Sequence, residues 1–293
     1  MKPAGKPIAA IVVLYKMSVA DSPSYRTLSA ALRERPELAA KIDLLVADNS
    51  PEAQPLPVDF SGRYLHDGTN PGLAKRYNEA LGAAAAAGAI WLLLLDQDTT
   101  LTEAYLAELE TLAERLADEE TIVAIVPKLM AGGRLQSPHL PRFLRTDFAL
   151  DRSSYGVAGG LVRVYNSGAL LRVSAVQGIG GFPEAYWLDY LDHATFHQLQ
   201  ARGGAIYLMD AALEHEMSIY RPDKHADPGH AARRRNQLSA EVRFYREFGS
   251  LQERLRHRGS LAWEAARSMS KGRFAEVARL LRAVFAPGRY NLR

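Results

Sequence analysis

The run Trp91-Leu92-Leu93-Leu94-Leu95, preceded by Ala89-Ile90, stops abruptly at Asp96-Gln97-Asp98. An unbroken apolar segment of strand length suits a strand covered on both faces, as in a parallel sheet flanked by helices. Such sheets bind their ligands beyond the carboxyl ends of the strands, where these two acids stand. Carboxylates one residue apart suit a hard divalent cation, which in turn holds phosphate oxygens. A plain strand followed by an acid-rich turn fits the same residues, and the surroundings must decide.

The rest of the chain narrows the choice. At 293 residues it is long enough for one large core, or for a large domain and a smaller one. An apolar fraction of 47% and a charged fraction of 24% are those of a folded globular protein. There is no cysteine, which excludes disulfides, thiolate metal sites and cysteine nucleophiles and fits a reducing cytoplasm. Ile8 to Leu14 is too short an apolar run for a signal peptide, and no segment reaches bilayer-spanning length. The expected location is therefore cytoplasmic. Charge is uneven: residues 216–293 carry 17 Lys and Arg against 8 Asp and Glu, a net +9, while the whole chain is +3. A basic tail on an acidic body suits an anionic partner, and it equally suits a solvated helical face.

Along the chain, Ile8 to Leu14 reads as a buried first strand, and Ser24 to Ala40 as a helix with Tyr25, Leu28 and Leu32 on one face. Ile42 to Ala47 is a second strand ending in Asp48-Asn49-Ser50, and Tyr64-Leu65 is a short extended segment. Asn70-Pro71-Gly72 opens a helix from Leu73 through Ala87, closed by Gly88. Thr102 caps a further helix through Ala117, and Ile122 to Val126 is another strand. Residues 130–165 read as loops and short strands. From Ala231 onward the pattern is helical, with Gly259 and Gly272 dividing residues 251–285 into amphipathic pieces. This alternation argues an α/β, doubly wound, mainly parallel sheet with a C-terminal helical extension.

Further residues fall where a nucleotide-diphosphate-sugar site would need them. Asp48, at a strand end, is placed to accept hydrogen bonds from a base or ribose. The segment Asn70 to Asn78, with Gly72 and Lys75, opens a helix whose amides and basic residues suit a phosphate or ribose. Asn166-Ser167-Gly168 ends an extended segment. Gly180-Gly181-Phe182-Pro183-Glu184 leads to Asp189 and Asp192 at the mouth of a helix, and His215 follows, flanked by Glu214 and Glu216.

In this order the motifs resemble those of inverting family-2 glycosyltransferases of the GT-A fold, most closely the rhamnosyltransferases that build bacterial surface polysaccharides from dTDP-rhamnose. The likeness covers residues 8–250 and is carried by Asp48-Asn49-Ser50, Asn70 to Asn78, Asp96-Gln97-Asp98, Gly180-Gly181-Phe182 with Asp189 to Asp192, and Arg235-Asn236. It implies a GT-A-like nucleotide-sugar-binding and catalytic domain over residues 1–220 and a basic amphipathic helical region over 221–293. Asp48 matches the base-binding acid, Asp96 the acid meeting ribose or metal, and Asp98 the principal ligand of Mg²⁺ or Mn²⁺. His215 matches the histidine completing the metal shell. Asp192 matches the general base, with Asp189 positioning the acceptor. Ser167 and Gly168 fall on the acceptor side, and Arg235-Asn236 contacts diphosphate or acceptor.

The implied partners are a nucleotide-diphosphate sugar and a saccharide or lipid-linked saccharide, with no nucleic acid. An anionic membrane surface is a further expected partner, met by the C-terminal region through Trp263, Leu280, Leu281 and Phe285 at the inner face of the plasma membrane. Asp192-His193-Ala194 to Gln198 departs from the family, with alanine and glutamine where an acid and an arginine are usual, which bears on acceptor choice.

Each residue also has a plainer use: Asp192 as a helix N-cap, Asp48 as the closure of a turn, Asn78 as a packing residue. Other activities stay open at this level. They are a different UDP-, GDP- or dTDP-sugar donor, a nucleotidyltransferase, or a non-catalytic nucleotide-sugar-binding scaffold. The nucleotidyltransferase reading lacks support in Leu14-Tyr15-Lys16-Met17-Ser18, which has no glycine.

Overall fold

The computed structural model describes residues 6–140, 148–151, 153–214 and 228–285. Its centre is a sheet in which β1 (Ile8–Leu14) runs parallel to β2 (Ile42–Asp48) on one side and to β4 (Trp91–Asp96) on the other; β3 (Arg63–His66) extends it beyond β2. Beyond β4 comes β10 (Ala169–Arg172), antiparallel, and then β5 (Ile122–Ala131) and β11 (Ala205–Glu214), parallel to each other. Four short strands pair antiparallel: β6 (Arg134–Ser137) on β5, and β9 (Gly156–Val157) on β11, while β7 (His139–Leu140) pairs separately with β8 (Phe148–Ala149). The order β3-β2-β1-β4-β10-β5-β11-β9 is the mainly parallel α/β sheet that the sequence pattern implies.

Residues of both parities in the central strands are buried, as uninterrupted apolar runs require. On one face Ile8, Ala10, Val12, Trp91, Leu93 and Leu95 share a core with α1 (Pro23–Glu34), α2 (Pro36–Ala39) and α4 (Glu103–Arg115), through Tyr25, Leu28, Leu38, Leu109 and Leu112. On the other, α3 (Leu73–Ala87) lies against β1 and β4, burying Tyr77, Ala80 and Leu81, and meets α5 (Val173–Gly178). Arg172 locks the end of the sheet opposite the acids. It is buried, its guanidinium lies 4.4 Å over the Trp91 ring, and it donates to the carbonyls of Leu116, Ala117, Glu119 and Ile122 at the C-terminal end of α4 and just beyond.

Four local expectations change. The helix expected over Ser24–Ala40 is two helices, because Pro36 lacks an N–H and disfavours helical backbone at Arg35. The strand begun at Ile122 continues to Ala131, held by β11. Asn166-Ser167-Gly168 leads into β10 rather than ending a strand. Gly259 lies inside a helix; the break falls at Gly249-Ser250, where Ser250 and Glu253 form a capping box.

The described residues divide into two compact units. The first holds the sheet, α1 to α5 and α6 (Leu191–Ala201). The second holds α7 (Pro228–Phe248), α8 (Leu251–Met269) and α9 (Phe274–Phe285), together with the short segment Leu188–Tyr190. Its core is Leu238, Val242, Leu261, Ala265, Val277, Leu280 and Ala283, and the Tyr190 and Phe244 rings stand 5.5 Å apart. No described helix is long and apolar enough to cross a membrane.

Candidate active site

Between β1 and β4 the sheet changes direction: the chain leaves β1 towards β2 and leaves β4 towards the far half. A crevice opens at the carboxyl ends of strands at such a switch point. Here Tyr15 N donates to Gln97 Oε1 at 2.7 Å, and Lys16 N to Ser50 Oγ at 2.8 Å. The turn after β4 is held from beneath by the start of α1. Ser22 Oγ donates to Gln97 O, and Ser24 Oγ donates to the carbonyls of Asp96 and Thr99. These bonds use the backbone of the Asp96–Asp98 turn, and both acids are half-buried at its surface. Because β10 runs antiparallel to β4, with Ala169 opposite Leu94, its approach through Asn166 arrives at this same edge.

The decisive convergence is at Tyr77. This ring is fully buried on α3, and its hydroxyl accepts a hydrogen bond from Asn166 Nδ2 at 3.1 Å. Burial pushes its pKa well above the usual tyrosine value, and the negative charges of Asp96 and Asp192 push it further. One hydroxyl thus feels an acid from the end of β4 and an acid from the head of α6. Phe182, 5.2 Å from Tyr77 between ring centres, holds the ring from the other side.

Asp192 is the second residue of α6, so it is not the N-cap. Its Oδ1 accepts from the adjacent His193 N at 2.7 Å. Protein surrounds the carboxyl although some surface remains, and this loss of hydration lifts its pKa to about 6, against the opposing pull of the His193 N–H and His139. The rings of His139, Tyr165 and His193 form a cluster beside it, with centres 5.7–6.0 Å apart. A carboxylate that titrates near 6 is ionised at neutral pH yet basic enough to accept a proton in a transition state.

Other expected site residues turn out to build the scaffold. Asp48 has no exposed surface. Its carboxylate accepts from Ser50 N (2.8 Å), Gln54 N (2.9 Å) and Tyr64 Oη (2.6 Å), so it closes the turn after β2. Burial would raise its pKa, but the hydrogen bonds from Ser50, Tyr64 and Gln54 prevail and lower it. Arg76 is buried too, bonding Asn49 Oδ1 at 2.7 Å and pairing with Asp67 and Glu79, which removes it from phosphate binding. Asn78 exchanges hydrogen bonds with the Phe182 backbone, Nδ2 to O at 2.9 Å and N to Oδ1 at 2.8 Å, so its amide holds the glycine loop. Gly181, at φ +88°, has no room for a Cβ beside that amide.

Ser167 is buried against Thr99, the hydroxyls 2.5 Å apart. Gly168 is hydrogen-bonded to Leu94 and Tyr105. Neither presents a group to an acceptor. At the head of α3, Leu73 N donates to Trp187 O at 2.9 Å, and Gly72, at φ +93°, is pressed by the Trp187 indole, which donates to Asn70 O. Part of the expected amide site is thus taken by Trp187, whereas Lys75 is exposed.

Asp189 belongs to the second unit and is half-buried. Arg235 and Asn236 are exposed positions of α7 in that unit. His215 lies outside the described residues, and among those described no three His, Asp or Glu side chains are grouped to hold a metal. Asp96 and Asp98 alone still fit Mg²⁺ or Mn²⁺ with a diphosphate, since Mg²⁺ is commonly held by one or two carboxylates, with substrate phosphates and water completing its shell.

The sequence did not single out His139 or Trp187, and Tyr77 and Asn166 stood inside motifs without a role of their own. Tyr77 carries the helical period of a core residue, and no local pattern says that its hydroxyl meets Asn166 across 89 positions of chain. Tyr15, exposed beside the crevice, was legible as the residue directly after β1.

No protein-family model matches the chain, and no curated protein matches it in sequence. Among solved structures, S. aureus TarS (residues 1–349) is similar over 94% of this chain and 86% of its own, at 16% identity and a TM-score of 0.49. TarS in complex with UDP-GlcNAc gives 94% and 81%, at 13% identity and 0.47. M. tuberculosis glucosyl-3-phosphoglycerate synthase is similar over 81% of each chain, at 14% identity and 0.43. With these three TM-scores below 0.5, the functional reading rests on this chain's own residues.

Proposed function

We propose that this chain is an inverting glycosyltransferase that moves a sugar from a nucleotide diphosphate to a hydroxyl of a saccharide or lipid-linked saccharide. Supporting it above all is that the charges of Asp96 and Asp192 both act on the buried Tyr77 hydroxyl, with burial lifting the Asp192 carboxyl to about 6. In this reading the donor lies across the crevice between β1 and β4, its diphosphate at the Asp96–Asp98 turn. A divalent cation held by those two acids would neutralise charge developing on the leaving diphosphate.

Asp192 performs the chain's own chemistry. A sugar hydroxyl barely ionises at neutral pH, so a base must take its proton as the new bond forms. The Asp192 carboxylate takes it. The acceptor oxygen bonds to the anomeric carbon as the bond from that carbon to the diphosphate oxygen breaks, and the electron pair leaves with the nucleoside diphosphate. Attack opposite the leaving group inverts the anomeric centre. Tyr77 and Asn166 form the fixed floor between the two acids. Asp189, three residues before the base, is assigned to positioning the acceptor, and Arg235-Asn236 to diphosphate or acceptor contact.

The motif order makes dTDP-rhamnose the proposed donor, bacterial surface polysaccharide the proposed product, and the cytoplasmic face of the plasma membrane the proposed place of work. A thermal-shift series with dTDP, UDP and GDP, with and without Mn²⁺, tests this, followed by an assay of nucleoside diphosphate release from sugar donors. The expected result is stabilisation by dTDP that Mn²⁺ enhances, with the enhancement lost in Asp98→Ala. A response to UDP or GDP alone overturns the rhamnose assignment, and no response to any nucleotide overturns the transferase reading.

A further inference from the structure

The second unit carries an apolar surface that its own core does not use. Helix α8 buries His257, Leu261, Ala265 and Ser268, one face of the helix, against α7 and α9. Leu251, Leu255, Ala262, Ala266 and Met269 project elsewhere. At 3.6 residues per turn they fall within a sector of about 60°, and Trp263 widens it to about 120°. Leu251 is 72% exposed, Leu255 59%, Trp263 64% and Met269 54%. A second apolar stripe, left in water along a helix of 19 residues, marks a surface that meets something.

The charges flanking the stripe say what. Arg258 borders it on one side, with Arg254 further round towards the buried face, where its Nε donates to Gly249 O at 2.8 Å. Arg256 and Arg267 lie on the other side beyond Trp263, and the Arg267 guanidinium lies 5.5 Å from the Trp263 ring centre. The two acids of α8, Glu253 and Glu264, fall on the far side of the helix, about 140° or more from the middle of the stripe. Glu264 is there paired with Arg234. Leucines, a tryptophan and a methionine bordered by arginines on both sides, with acids turned away, form the cross-section of a helix that lies in a lipid–water interface. The arginine stems extend along the apolar surface while their heads reach the phosphates.

We infer that the exposed face of α8 docks on an anionic phospholipid surface, with Leu251, Leu255, Trp263 and Met269 entering the headgroup layer and Arg254, Arg256, Arg258 and Arg267 contacting lipid phosphates. This moves the membrane contact expected from residues 251–293 onto α8. Leu280, expected to take part, belongs to the unit's core, and Leu281 is half-buried against it. The inference stands independently of glycosyl transfer.

Co-sedimentation of the full chain with phosphatidylcholine vesicles, with and without phosphatidylglycerol, tests it. Binding to the anionic vesicles, weakened by added salt, is expected. Arg258→Gln with Arg267→Gln should weaken it by roughly thirtyfold, about fivefold for each arginine. Leu255→Gln with Trp263→Gln should weaken it at least as much, with thermal unfolding unchanged because both side chains are exposed. Absence of binding to anionic vesicles, or equal binding by both variants, overturns the proposal. So does a concentration-dependent dimer that Leu255→Gln with Trp263→Gln disperses, because the stripe would then be covered by a second copy of the chain.

Discussion

Asp48 and Asp192 occupy comparable positions and have opposite fates. Each is an aspartate at the ligand edge of the sheet, and each was expected to touch substrate. Around Asp48 the chain supplies three donors, so the buried carboxylate is satisfied, ionised and inward-facing, with its pKa lowered. Around Asp192 it supplies burial with only the backbone N–H groups of His193 and of Asp192 itself, so desolvation prevails and its pKa rises to about 6. The count of hydrogen-bond donors separates a structural acid from a reactive one.

The largest effect that sharpens this contrast is on turnover. Asp192→Asn keeps size and polarity but accepts no proton, so kcat should fall by about 10²–10⁴ while nucleotide binding stays near the parent value. Asp48→Ala should leave kcat per folded molecule within a few fold. Near-normal turnover in Asp192→Asn would erase the distinction; were Asp189→Asn the inactive variant instead, the base would lie three residues earlier.

Stability should show the reverse. Asp48→Ala strands the Ser50 amide, which costs about 1–3 kcal/mol, and leaves Gln54 N and Tyr64 Oη only the bonds they make with each other and with Gln54 O. A loss of about 3 kcal/mol, on the order of 10 °C in Tm, is expected by calorimetry. An unchanged Tm would mean that the network around Asp48 holds nothing together.

The same contrast explains what the sequence made legible. Strands such as Trp91–Asp96 and helices such as Leu73–Ala87 follow from apolar periodicity and glycine punctuation, which are local. So was the presence of acids at strand ends. Whether a polar side chain is spoken for depends on partners elsewhere along the chain: Tyr64 for Asp48, Phe182 for Asn78, Thr99 for Ser167. Those partners are brought in by strand order and loop path, and the insertion of antiparallel β10 beside β4, which delivers Asn166 to Tyr77, has no local signature.

A smaller effect should follow at Tyr77. Tyr77→Phe removes the acceptor of the buried Asn166 amide and should cost about 1–2 kcal/mol, read as a shift in denaturant midpoint. Asn166→Ala should cost less in the Tyr77→Phe background than in the parent, because the partner is already gone. Strict additivity of the two would mean that the hydrogen bond contributes nothing to the floor between the acids.

The smallest expected effect is also the most specific to the comparison, because the two aspartates should drive stability with pH in opposite directions. Asp48 has a folded pKa below its unfolded value, so its contribution is present above the ordinary carboxylate range and is lost as pH falls through the folded pKa. Asp192 has a folded pKa of about 6, above the ordinary 3.8. Between those values the native state binds the extra proton, so unfolding becomes easier as pH rises, and the full penalty is present above 6. Asp192→Asn removes that penalty. Its Tm should exceed the parent's by a few degrees at pH 7.5, and the difference should shrink towards zero as pH falls to 4. In the parent, kcat should rise with pH through about 6 as the base ionises. The charge that would take the acceptor's proton is thus the charge that strains the fold. A variant gaining stability at neutral pH while losing turnover ties both to one carboxylate, whereas a Tm difference independent of pH between 4 and 7.5 would show that Asp192 is not held at a raised pKa.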